Sequence, residues 1–134
     1  MPESILHNGK TLAIIIHADY HVEGVKFFTP DSFSQQLAYM NHPAGHRIDA
    51  HTHNPVKREV IYTQEVLFIR KGKLRVDFYS PTHEYLESRV LGLGDVILLA
   101  SGGHGFEVLD DCEFIEVKQG PYTGDADKTR FEGK

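Results

Sequence analysis

Hydrophobic and polar positions along this chain fall in short runs broken by turn residues, not at the spacing of an amphipathic helix. Leu12 to His17 is a continuous, isoleucine-rich apolar run, and Val25 to Phe28 is a second that ends at Thr29-Pro30. Gln36 to Asn41 is a third, closed by Pro43-Ala44-Gly45. His46 to His53 alternates, with Ile48, Ala50 and Thr52 on one face and Arg47, Asp49, His51 and His53 on the other. Glu65 to Arg70 and Leu74 to Tyr79 flank Lys71-Gly72-Lys73, a pattern that predicts a hairpin with glycine supplying the positive φ of its turn. Tyr85 to Leu91, Val96 to Ala100, Gly105 to Leu109 and Cys112 to Lys118 complete the strands. Ser32 and Gln35 form a capping-box pattern that predicts one short helix near Asp31 to Gln36. Many short strands with regular turns predict an all-β sandwich or barrel with little helix. Gly120 to Lys134 is polar and is expected to wrap the outside or stay partly disordered.

A length of 134 residues suits one domain, 1–134, large enough to bury a core without disulfide staples. The usage of 40% apolar and 25% charged residues is that of an ordinary globular chain. A formal net charge of −5 argues against a surface built for phosphate backbones, so no nucleic-acid partner is expected. Cys112 is alone, which excludes an internal disulfide and favours a reducing compartment. The start, Met1-Pro2-Glu3, lacks the basic region of a leader, and no run reaches the roughly 20 apolar residues of a membrane helix. A cytoplasmic protein with no membrane partner is the expectation.

Histidine changes this picture, with nine in the chain. His51 and His53 stand two apart, so on a strand both imidazoles point to one side and suit two neighbouring positions on one metal ion. Glu65 shares a strand face with Leu67 and Ile69. A carboxylate among core residues is costly unless it is paired or bound to metal. Salt bridges to Arg47 or Lys118 are the alternative for Glu65, and Glu59 is a rival carboxylate.

Gly45 lies six residues before His51, and Glu65 lies seven before Gly72. This arrangement resembles the first signature of the cupin superfamily. The stretch Gly94-Asp95-Val96-Ile97-Leu98-Leu99-Ala100-Ser101-Gly102-Gly103-His104 resembles its second, and the separation of the two is similar to that of small single-domain cupins. The resemblance spans about residues 37 to 118. The spacer between His53 and Glu65 is longer than the family's, so Asn54 to Gln64 makes an extended loop or hairpin.

The resemblance implies a jelly-roll β-barrel holding one divalent transition metal ion through His51, His53, Glu65 and His104. Fe, Mn, Ni, Zn and Co all suit such a donor set. It implies a small-molecule ligand or substrate and a homodimer, for which Leu12 to His17 is the candidate pairing strand. The function expected is a metal-dependent enzyme of dioxygenase, isomerase or lyase type acting on a small polar molecule. The alternatives are a non-catalytic small-molecule or sugar-sensing module and a barrel with a vacant site. The cations Lys57, Arg58, Arg70, Lys71, Lys73 and Arg75 read as a solvated face, and His42, His46, Tyr62 and Gln64 as residues near the pocket mouth.

Overall fold

The strongest apolar run, Leu12 to Ile16, forms the middle of the fold. It lies in β2 (Lys10–Ile16), which pairs antiparallel with β1 (Glu3–His7) on one side and β7 (Val96–Leu99) on the other. The computed structural model describes residues 1–134. In chain order the remaining strands are β3 (Gly24–Phe27), β4 (Ala38–Asn41), β5 (Glu65–Tyr79), β6 (Tyr85–Leu91) and β8 (Gly103–Lys118). A single short 3-10 turn, Gly124–Asp127, follows.

The main sheet runs β1-β2-β7-β5-β6, with β8 on the far edge of β5, and every pairing is antiparallel. With 46% of residues in strands, the chain is an all-β fold whose sheet curls into a half-barrel. The strand β2 has neighbours on both edges, so Leu12 to His17 has no free edge for pairing with a second copy. The strand β1 carries no strong apolar signal and was invisible in the hydrophobic pattern.

One ribbon, β5 with β8, shapes the half-barrel. The expected hairpin at Lys71-Gly72-Lys73 is instead a corner within one continuous strand, and the expected break at Asp110-Asp111 is the matching corner in β8. Register shifts between Ile69 and Leu74 set the four residues 70–73 of β5 against the five residues 109–113 of β8, so five steps along β5 match six along β8. The odd step changes the parity of β5. Leu67 and Ile69 before the corner, and Leu74, Val76 and Phe78 after it, therefore all face the core. Gly72 makes this possible with φ 81°, and a Cβ there would drive into the Asp111 carbonyl and within 2.9 Å of Cys112 Cα. A positive-φ glycine serves a hairpin turn and a bulge equally well, which is why the sequence pattern pointed to the former.

The corner is knitted from its other side by the turn between β6 and β7, which lie end to end along β5. The Asp95 carboxylate accepts hydrogen bonds from Ala18 N at 2.8 Å and Gly92 N at 2.7 Å. Ile69 N donates to Asp95 O, and Gly94 N donates to Ile69 O.

Two apolar layers result. The inner one contains Ile5, Ala13, Ile15, Leu67, Val76 and Phe78, among others. The outer one, Ile14, Ile16, Leu37 and Leu98, is covered by Tyr20, Phe28 and Phe33 from the segment around the small β3–β4 sheet. Residues Asp31 to Gln36 form turns and bends, not the expected helix; the Gln36 amide spends its hydrogens on the Pro30 and Phe33 carbonyls. No helix is long and apolar enough to cross a membrane.

The expected strand His46 to His53 is absent. Residues 42–64 form an irregular loop between β4 and β5, exposed from 43 to 62. Its alternation is of the right period, but no sheet edge pairs with it. The polar end segment wraps the outside as expected, pinned at Asp127 and Phe131.

Candidate functional site

The folded ribbon gives the site its geometry. Glu65 pairs with Lys118 at one end, and His104 pairs with Phe78 at the other. At about 3.3 Å per residue a straight strand would hold these ends roughly 40 Å apart. Instead His104 Nε2 lies 3.9 Å from Glu65 Oε2, because the corner at Gly72 turns one half of the ribbon over the other.

Both groups face inward. Glu65 continues the row Ile5, Ala13, Leu99 across β1, β2 and β7, so its stem packs in line with core residues. Its side chain is 14% exposed and that of His104 27%. Burial, with the neighbouring Glu116 carboxylate adding to it, pushes the Glu65 carboxyl up to about 7. Burial pushes His104 below the ordinary histidine value, Glu116 acts against this, and Lys128 acts with it. The contact at 3.9 Å is therefore that of a largely neutral imidazole beside a carboxyl poised near neutrality, not of a formed ion pair.

Such a pair can do two kinds of work. A carboxyl titrating near 7 is matched to proton transfer at neutral pH. A neutral imidazole and the carboxylate that Glu65 becomes as pH rises through about 7 are also the ligating forms of the two groups.

His51 and His53 lie elsewhere on the surface, exposed on the 42–64 loop. Their rings are 5.2 Å apart. His51 Nδ1 is 2.7 Å from the Asp49 carbonyl oxygen, to which it donates in the matching tautomer, leaving Nε2 with a free lone pair. The donor types thus fit a metal ion, in two separate pairs. No group of three or more His, Cys, Asp or Glu side chains is gathered where it could hold one.

Other candidates resolve simply. Gln64 is buried, and its Oε1 accepts from Gln35 N at 3.0 Å and Ser34 Oγ at 3.3 Å, which fixes the point where the loop enters β5. Thr63, one residue earlier, donates to Asp127. Tyr62 and Glu59 line an open cleft of about 210 Å³ beside Gln64. His42 stacks on His46 at 4.0 Å and borders a wider groove of about 640 Å³ with His21 and Glu23. Neither cleft contains Glu65 or His104. Of the cations at the ribbon corner, Arg75 is held by Asp77 at 2.9 Å and Glu107 at 3.2 Å, as a structural group would be. Sequence reasoning missed Glu116 and Lys128, whose surroundings follow only from the curl of the ribbon and the path of the end segment.

The chain matches no protein-family model, no curated protein and no solved structure. Its functional reading rests on the two motifs and on the Glu65–His104 geometry.

Proposed function

We propose that this protein is a cupin-type metal-binding enzyme for a small polar molecule, in which Glu65 and His104 are the fixed half of the ligand set. His51 and His53, carried by the 42–64 loop, are the mobile half. The observation that carries this reading is the meeting of Glu65 and His104 from opposite ends of one ribbon, on the inward face, with both groups desolvated.

The loop has a place to go. The edge of β8 that faces away from β5 has no strand partner, and Phe106, Val108 and Phe114 remain part-exposed along it. The loop exposes Ile48, Val56, Val60, Ile61 and Tyr62. Apolar surface on both sides favours closure, and the alternation of His46 to His53 suits a strand added to a free edge.

A divalent ion in this position would supply Lewis-acid polarisation of a bound oxygen. The chain itself supplies the rest. Glu65 presents Oε2 and His104 presents Nε2 to the ion, and Phe106, Val108 and Phe114 of β8 offer apolar surface beside them. Elemental analysis of the wild type and of Glu65→Gln, His104→Ala and His51→Ala variants tests the reading. One metal per chain, lost in all three variants, supports it; full metal content in the variants overturns it.

A further inference from the structure

The segment that follows β8 returns to both ends of that strand. At one end the Asp127 carboxylate accepts from Thr63 Oγ1 and lies 3.4 Å from the Nζ of Lys118, the last residue of β8. Lys118 pairs in register with Glu65, and Thr63 stands two residues before Glu65. At the other end Phe131 packs against Gly103, the first residue of β8, so closely that a Cβ there would lie 3.0 Å from Phe131 Cζ. The same ring stacks on His83 at 4.0 Å and meets Tyr79 edge-on at 5.1 Å. Lys134 N then donates to the Tyr79 hydroxyl at 2.9 Å.

Only four residue steps separate Asp127 from Phe131, a span of at most about 14 Å. A straight strand would hold Gly103 and Lys118 about 50 Å apart, at roughly 3.3 Å per residue. The segment therefore ties the two ends of the folded β8 to each other. This strand depends on such a tie more than its neighbour does. In β5, Leu67 and Ile69 before the corner and Leu74, Val76 and Phe78 after it pack into one core, which fixes the angle between its arms. By contrast, β8 has no fully buried residue and no strand partner on its far edge. Few buried contacts and a free edge make it the element most ready to splay. Ser101 Oγ donates to the Thr11 carbonyl at 2.7 Å and fixes the entry to β8, ahead of His104.

We propose that residues 127–131 are a positioning strap, in which Asp127 and Phe131 hold His104 against Glu65 by tying the ends of β8 together. The proposal deepens the proposed function and rests on Glu65 and His104 being the functional site. It requires neither the loop histidines to close nor a metal to bind. One anchor is polar and the other aromatic, so each can be freed without touching the other or the pair they position.

The test uses the full chain, stripped of metal with a chelator and followed by NMR. The reporter is the nuclear Overhauser peak between the His104 ring protons and the Glu65 Hγ protons. Peaks between Phe68 and Ile115 and between Val76 and Phe106, register pairs on either side of the corner, report that the ribbon is intact. Asp127→Ala and Phe131→Ala are each expected to lose the His104–Glu65 peak and keep the ladder peaks. Asp127→Asn, which keeps an acceptor for Thr63, is expected to retain it. A contribution to stability alone would leave the His104–Glu65 peak in place. Wild-type intensity of that peak in either alanine variant therefore overturns the proposal. Should Phe131→Ala lose its ladder peaks as well, Asp127→Ala decides. Absence of the peak from wild type overturns the proposal together with the contact it rests on. Metal content measured on the same proteins is a separate readout, which can refute the metal reading while the peak still decides the strap.

Discussion

His104 and Glu65 meet at 3.9 Å although they stand at opposite ends of the longest strand pair in the protein. The corner at Gly72 produces this contact, and the energetics of the corner and of the pair can be tested separately.

Gly72→Ala places a Cβ against the Asp111 backbone at a residue held at φ 81°. Both the positive φ and the overlap with backbone oppose it, so a loss of about 2 kcal/mol or more is expected. Urea denaturation monitored by circular dichroism measures it. A change within about 0.5 kcal/mol, the range of an ordinary surface substitution, would contradict the corner.

Asp95→Ala removes the acceptor of two backbone hydrogen bonds on the other side of the same corner. Leaving the Ala18 and Gly92 amides without their carboxylate is expected to cost about 1–3 kcal/mol. Asp95→Asn, which keeps one carbonyl acceptor, is expected to fall between the two in the same denaturation series.

Glu65 links the site to pH. Folded Glu65 holds its proton more tightly than the unfolded chain, with a value of about 7 against 4.5. Its contribution to stability is therefore full below pH 4.5 and lost as pH rises through about 7, by up to about 3 kcal/mol. His104 has the opposite sign: its value is depressed, so its contribution is present above the ordinary histidine value of 6.5 and lost as pH falls. Denaturation of the metal-free protein between pH 5 and 8 is expected to show Glu65→Gln gaining on wild type as pH rises. A constant difference across that range would contradict the buried carboxyl.

Much of this fold was legible in the residues, for identifiable reasons. The runs Leu12 to His17, Tyr85 to Leu91 and Val96 to Ala100 are strongly apolar or β-branched and bounded by glycine or charge, and each is a strand within two residues of the expected limits. Glu65 was readable as an inward carboxylate because its phase with Leu67 and Ile69 is local. The corner at Gly72 was not legible, since a glycine with positive φ between two strands has the same local signature as a hairpin turn. The contact between Glu65 and His104 depends on that corner and on the register of β8, neither of which any short window contains. His46 to His53 shows the converse limit: correct alternation does not make a strand where no edge pairs with it.

The loop is expected to change state when metal is added. His51 and His53 are exposed, so alanine at either is expected to leave the stability of the metal-free protein within about 0.5 kcal/mol of wild type. Hydrogen exchange at residues 46–53 is expected to slow on addition of Ni(II) or Zn(II) to wild type, and not in His51→Ala or Glu65→Gln. Equal exchange with and without metal would place these histidines outside the site.

Metal stoichiometry tests the central claim most directly. The purified, untagged chain, reconstituted anaerobically with Fe(II), Mn(II), Ni(II) and Zn(II) in turn and then desalted, is assayed by elemental analysis beside Glu65→Gln, His104→Ala and His51→Ala. The account predicts close to one ion per wild-type chain for at least one metal, and loss of that ion in each variant. No retained metal in wild type, or full retention in the Glu65 and His104 variants, would contradict it.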